Sequence, residues 1–318
     1  MKKLIFYFIC LGLIGACNGQ QVEQFSLLRE NAFTLNPAMA GTEGFLHGTA
    51  TFRKEFLQID QSPYTGVVEL DGLLADKHIG LGGYLIDDAT GPTSKTGASF
   101  AFSYILPLQK RYSGNGSGAS DNTLAFGAAV SIVQYRLDGS QLTPNTQGDP
   151  ALVGSMASKI FPDASFGVYY RYKDVFYTGL SVPQMLGLNI NYRAPDGTAA
   201  IKTVQQLNFL IGGKIAWDKD KFSLDPVAGL DWENGGPPIA QIGVRMNMLK
   251  IFFIGVNYRT IDYMVFEAGF NVKQLVFFAY AYDLNVASYR PETGSSQEVS
   301  ISFKIPKPRG GEAAGTRF

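Results

Sequence analysis

The chain has 318 residues, with 27 basic and 27 acidic side chains and a formal net charge of zero, so no basic surplus draws it onto nucleic acid. Its two cysteines, Cys10 and Cys17, both fall in the first 17 residues, which excludes a disulfide framework. Thirty-six glycines and 13% aromatic residues fit many short strands joined by turns.

Residues 1–20 read as a secretory signal peptide: Lys2 and Lys3, the apolar run Leu4 to Ile14, then Gly15 and Ala16. The apolar run is well short of the roughly 20 residues that a spanning helix needs. Two processing routes fit. Ile14-Gly15-Ala16-Cys17 has the form of a lipobox, in which Cys17 becomes the lipidated first residue; alternatively, ordinary cleavage near Gly19 to Gln21 discards Cys17. Residues 21–43 carry Phe25, Leu27, Leu28, Phe33 and Leu35 without strand alternation. This segment is too apolar for a free tail and is expected to pack at or in the end of whatever follows.

From residue 44 to 306 the chain falls into segments of alternating apolar and polar residues, about ten long, as transmembrane barrel strands do. In one of them Phe252, Ile254, Val256 and Tyr258 alternate with Phe253, Gly255, Asn257 and Arg259; in another Val299, Ile301, Phe303 and Ile305 alternate with Ser300, Ser302 and Lys304. The expected strands are 44–54, 63–75, 78–87, 95–106, 122–134, 161–172, 174–182, 203–218, 220–231, 238–247, 250–259, 261–272, 274–283 and 296–306. The fold class is therefore all-β, a transmembrane antiparallel barrel of about 14 strands, an even number as closed bacterial barrels require. Lys173-Asp174 and Lys219-Asp220 suit tight turns, whereas Gln109 to Asp121 and Leu137 to Ile160 are long and rich in Gly, Ser, Asn and Pro. By length these two are expected to be external loops. Residues 307–318 form a short C-terminal tail. Only lipid accounts for an apolar face with aromatics at its ends on almost every strand, so the expected location is a Gram-negative outer membrane.

In the polar phase the charged residues include Arg171, Lys214, Asp225, Asp231, Arg245, Arg259, Glu267 and Asp283. Their signs nearly balance, which fits an internal bracing network better than the single-sign ring of an ion-selective constriction. No enzyme chemistry is legible. The two histidines, His47 and His78, stand at strand ends, and no G-x-S-x-G elbow accompanies the serines. Asp87 to Gly91 and Asp218-Lys219-Asp220 lack the ligand spacing of a calcium loop, Gly80 to Gly83 precede no helix, and no metal or cofactor is expected. The small residues at Gly80 to Gly83 let the lumen side be occupied closely.

Several motifs, in order along the chain, give it a family resemblance. They are Leu35-Asn36-Pro37-Ala38-Met39-Ala40-Gly41, Ile79-Gly80-Leu81-Gly82-Gly83 leading to Asp87-Asp88-Ala89-Thr90-Gly91-Pro92, Phe166 to Tyr170, Gly179 to Gln184, Gly255 to Arg259, and Tyr280 to Asp283. With these the chain resembles the PorP/SprF outer-membrane proteins of the type IX secretion and gliding systems of Bacteroidetes. It departs at Arg53 to Phe56, where the family has an Arg followed by a Gln-Trp pair, and at Gln297, where a His is common. The resemblance implies a barrel that receives the C-terminal domain of a secreted surface protein, typically a large adhesin, and supports its secretion or anchoring, alongside periplasmic or motor components. Loop residues Tyr112, Asn115, Leu142, Pro144, Asn145 and Leu152 are the candidate partner-binding positions. The alternative is a channel or transporter for small or hydrophobic solutes.

Overall fold

A computed structural model describes residues 23–74, 78–108, 122–141, 156–187, 189–194, 197–202, 205–218, 221–260, 263–286 and 294–305. Strands form where the sequence alternates, because successive side chains of a strand face opposite sides and both faces must find a matching environment. They are β1 (Leu46–Lys54), β2 (Tyr64–Leu73), β3 (Ile79–Thr90), β4 (Thr93–Pro107), β5 (Asn122–Asp138), β6 (Met156–Tyr172), β7 (Phe176–Val182), β8 (Asn189–Ala194), β9 (Gly197–Lys202), β10 (Gln206–Gly213), β11 (Ile215–Trp217), β12 (Phe222–Glu233), β13 (Ile239–Met248), β14 (Phe252–Arg259), β15 (Tyr263–Val272), β16 (Val276–Asn285) and β17 (Ser296–Ile305).

All but β8 and β9 belong to one antiparallel sheet, which closes on itself: β1 pairs with β17, Ala50 opposite Ile301, and β7 pairs with β10, Gly179 opposite Leu210. Closure leaves no strand edge to satisfy in lipid. β10 and β11 keep a single register on β12, Gly212 opposite Val227 and Ile215 opposite Leu224, so they form one wall strand interrupted at Lys214. The wall thus has 14 strands. The interruption faces Asp225 and Pro226 of β12, and proline has no N–H to give a ladder. Lys214 instead donates its backbone N–H to Val175 at 2.9 Å.

The observed strands depart from the expected ones in three places. The expected strand 203–218 begins at Gln206 and is broken at Lys214, and a separate β8–β9 hairpin precedes it. β5 and β6 pair as far as Asp138 and Met156, beyond the expected ends at 134 and 161, because a ladder can continue into water once its polar alternation is paired. The third departure concerns which end each connection occupies. Antiparallel neighbours alternate in direction, so the connection from β4 to β5 joins strands at the same end as the tight turns Lys173–Val175, Leu249–Ile251 and Lys273–Leu275. Length grouped Gln109 to Asp121 with the external loops; these residues lie outside the described ones, but strand parity puts the strand ends they join, Pro107 of β4 and Asn122 of β5, at the opposite end from the β5–β6 connection. In the β13–β14 and β15–β16 turns, Leu249 and Lys250, then Lys273 and Gln274, take φ near 55°, the paired left-handed conformation of a type I′ hairpin. The tight-turn end is the periplasmic one and the end bearing the β5–β6 and β7–β10 connections is external.

The outer face is apolar: Val130, Ile242 and Ile254 are more than half exposed, while Asp283 and Glu298 on the inner face are wholly buried. Among the described residues no helix is long and apolar enough to cross a membrane; the strands make the crossing. Among the described residues helix is limited to one turn at Ala32–Leu35 and a 3-10 turn at Pro37–Met39, both inside the barrel, and a 3-10 turn at Gly139–Gln141 beyond the end of β5.

Candidate functional site

The lumen is occupied by the chain's own N-terminal segment. Phe25 packs with Val67 and Ile86, Leu27 with Val265, Ala279 and Ala281, Phe33 with Ala101 and Ala129, and Ala38 with Ile105, Ala125 and Tyr169. The wall is cut to fit. A Cβ placed on Gly127 would strike the Ala38 backbone, one on Gly80 the Ala40 carbonyl, and one on Gly167 the Asn36 amide, so only glycine permits this approach. The plug's polar backbone is answered by the wall, as buried N–H and C=O groups require. Ser103 and Ser181 donate to the carbonyls of Ala40 and Leu35, each at 2.6 Å, and Asp71 accepts from the Gly41 N–H at 2.7 Å. Within the plug, Asn36 caps the 3-10 turn by accepting from Ala38 N–H at 2.9 Å, while its amide donates to Val168 at 3.2 Å.

Two charge clusters fasten the plug. In the first, the Ser26 hydroxyl donates to Asp283 and accepts from Arg53 at 2.5 Å and Arg259 at 2.6 Å, its N–H donates to Glu298 at 2.6 Å, and its carbonyl accepts from Gln241 at 3.0 Å. Arg53 bridges Glu55 (2.8 Å), Asp283 (2.9 Å) and Glu298 (3.3 Å), and Arg259 reaches Asp283 at 3.2 Å. In the second, Arg245 holds Glu30 of the plug at 2.6 Å and Glu267 of the wall at 2.8 Å, with its guanidinium 4.0 Å from the centre of the Phe253 ring. Asn257 donates to Glu267 at 2.7 Å. A charge removed from water is tolerable only when paired and hydrogen-bonded, and each arginine here has at least one carboxylate at hydrogen-bond distance.

Of the polar-phase charges singled out in the sequence, Arg245 meets Glu267 and Arg259 meets Asp283. Asp225 accepts from Ser223 and Asn247, and its backbone carbonyl from Arg29. Arg171 lies apart, 3.5 Å from Glu43, and Asp231 lines a space of about 20 Å³ beside Leu28 and Asn208. Lys214 faces a cavity of about 600 Å³ at the periplasmic end, with Arg29, Phe45, Asp225, Lys250 and Lys304. A smaller space of about 60 Å³ lies around Glu23, Tyr84 and Lys95. His47 meets Asp71 at 3.3 Å and His78 the Ile105 carbonyl at 3.1 Å. Among the described residues no cluster of His, Cys, Asp and Glu could hold a metal ion. The positions Tyr112, Asn115, Leu142, Pro144, Asn145, Leu152 and Cys17 lie outside the described residues.

Arg53 and Glu298 belong to the network but are not among the polar-phase charges named from the sequence. Their signal is there: Thr49, Thr51 and Arg53 share one phase of β1, and Ser296, Glu298, Ser300 and Ser302 one phase of β17. Ser26 and Glu30 carry no such signal, because the plug has no period.

The profile of the family described as type IX secretion system membrane protein PorP/SprF matches residues 17–303. No curated protein matches the sequence. Among solved structures, the chain is similar to the CymD monoaromatic hydrocarbon channel, with TM-score 0.50, 10% identity, and coverage of 87% of this chain and 93% of that one. It is also similar to a Pseudomonas aeruginosa FadL homologue, with TM-score 0.47, 10% identity and coverage of 86% and 92%. For the Acinetobacter baumannii outer membrane protein Omp33 the values are 0.44, 6%, 82% and 98%. At these identities the likeness is one of fold alone.

Proposed function

Since the chain belongs to the PorP/SprF family of type IX secretion system membrane proteins and is an outer-membrane barrel, we propose that it is a non-catalytic docking partner for a secreted surface protein. It binds the C-terminal domain of that protein, an adhesin, at the external end and supports its secretion or anchoring, in concert with periplasmic or motor components. The observation that carries this reading is the filled lumen. Glycines on the wall receive the plug, and Arg53, Arg245 and Arg259 hold it through buried carboxylates. A braced barrel supplies a rigid frame for loops, and preorganised loops bind at lower entropic cost.

The experiment is paired. The purified barrel is mixed with the isolated C-terminal domain of a type IX-secreted surface protein from the same cell, and binding is read by co-elution; in parallel the barrel is inserted into a planar bilayer. Co-elution with little current is the expected result. Large, steady ion currents with no co-elution would instead support a channel or transporter for small or hydrophobic solutes.

A further inference from the structure

We infer that the N-terminal segment enters the barrel at the external end and leaves it at the periplasmic end, so that Glu23 stands at the external mouth and the chain is reachable there from the cell surface. Contacts at the two ends of the segment fix where it enters and where it leaves. Glu23 pairs with Lys95 at 2.5 Å, and Lys95 stands just inside the β3–β4 hairpin, whose turn is at the external end. Ser26 meets Arg53, Asp283 and Glu298, which lie near the end of β1, the end of β16 and the start of β17, all at that same end. Ala38 then reaches Gly127 and Ile105, and Ala40 reaches Gly80 and Ser103. Glu43 pairs with Arg171, next to the tight turn at Lys173. The segment ends where β1 begins, at Leu46, and β1 runs back up to Lys54.

Both ends of this path are fixed independently. Continuity into β1 pins the lower end, and the Glu23–Lys95 pair with the Ser26 cluster pins the upper one. Between these ends the segment folds back once, Arg29 and Glu30 reaching Asp225 and Arg245 beside the periplasmic cavity and Leu35 returning to pack beside Phe25, but its two ends, and with them the termini of the described chain, Glu23 and Ile305, lie at opposite ends of the barrel. Glu23 accordingly stands at the same end of the barrel as the ends of β5 and β6 that their connection joins. The inference rests on the path of the segment and on barrel orientation, and does not depend on what the external face binds.

The test places a short epitope tag between Gln21 and Val22 in the full-length chain, expressed in its own cells, with a second strain carrying the tag between Lys273 and Gln274. Antibody binding to intact cells at the first site, with the second reached only after the outer membrane is permeabilised, is the expected result. Binding at the first site only after permeabilisation would overturn the inference. Should the tag prevent compact, heat-modifiable migration, Val22→Cys labelled by a membrane-impermeant maleimide gives the same reading, with the untagged chain as blank. Labelling on intact cells supports the path, and labelling only in lysed cells overturns it.

Discussion

The Ser26 hydroxyl donates to Asp283 at 2.7 Å across 257 positions of sequence, and the same carboxylate is held by Arg53 and Arg259 at 2.9 and 3.2 Å. One wall residue thus gathers the plug and two buried guanidinium groups. Asp283→Asn would leave those guanidiniums short of counter-charge, and breaking a buried pair on one side costs about 3–5 kcal/mol. The expected outcome is a clear fall in the temperature at which the compact, fast-migrating barrel converts to its unfolded form on a gel. Adding Arg259→Met should recover part of the loss. An unchanged conversion temperature for Asp283→Asn would mean that the cluster contributes little to holding the barrel together.

The plug's fit to the wall is steric as well as ionic. Gly127→Val should dislodge it, because even a Cβ there meets the Ala38 backbone, whereas Gly66→Val has nothing closer than 3.8 Å to its first carbon and should be silent. Single-channel recording reads the difference: well-resolved ion currents from the Gly127 variant, baseline behaviour from the Gly66 variant. Equal, low currents from both folded variants would show that the plug accommodates the intrusion.

The two faces of each strand should differ in their tolerance of charge. Ile254 is 54% exposed on the outer face, and an arginine at the bilayer midplane on that face costs roughly 2–4 kcal/mol, so Ile254→Arg and Phe278→Arg should reduce folded barrel in the outer membrane. Ala279 points inward and is 5% exposed; arginine there, or at Gly255 beside Glu267, disturbs packing without placing charge in lipid. Quantifying heat-modifiable barrel in isolated outer membranes checks this. Equal yields from the two faces would contradict the inside–outside assignment.

The wall was legible because alternation is a period, and a period survives without knowledge of partners. Phe252 to Arg259 and Val299 to Ile305 alternate as the strands they become. What the sequence conceals is non-periodic. The plug's course depends on Gly80, Gly127 and Gly167 lying at matching depths on β3, β5 and β6, and depth follows from register, which no single segment encodes. The break at Lys214 likewise needs Pro226 on a neighbouring strand. Loop length misled for Gln109 to Asp121 because which end a connection occupies is set by counting strands, not by the connection's own composition.

The β5–β6 connection is the proposed partner-docking element. β5 and β6 extend as a paired hairpin to Asp138 and Met156, and Ser140 is fixed beyond it by donating its hydroxyl to Asp138 at 2.6 Å. The Asp138 N–H in turn donates to the Pro92 carbonyl of the adjacent turn at 2.8 Å. The base of the connection is therefore held. Beyond it the sequence places Leu142, Pro144, Pro150, Leu152 and Val153, more apolar and rigid residues than a simple linker carries, in a stretch longer than the roughly 12–15 residues above which connections are usually functional or disordered. Replacing Gly139 to Gly154 by a short Asn-Gly turn should leave a folded barrel but release the secreted partner from cells. Partner protein is measured on intact cells and in the medium, with heat-modifiable migration as the folding check. Loss from the surface with gain in the medium is expected, and full display on cells carrying a folded deletion variant would remove this connection from the docking face.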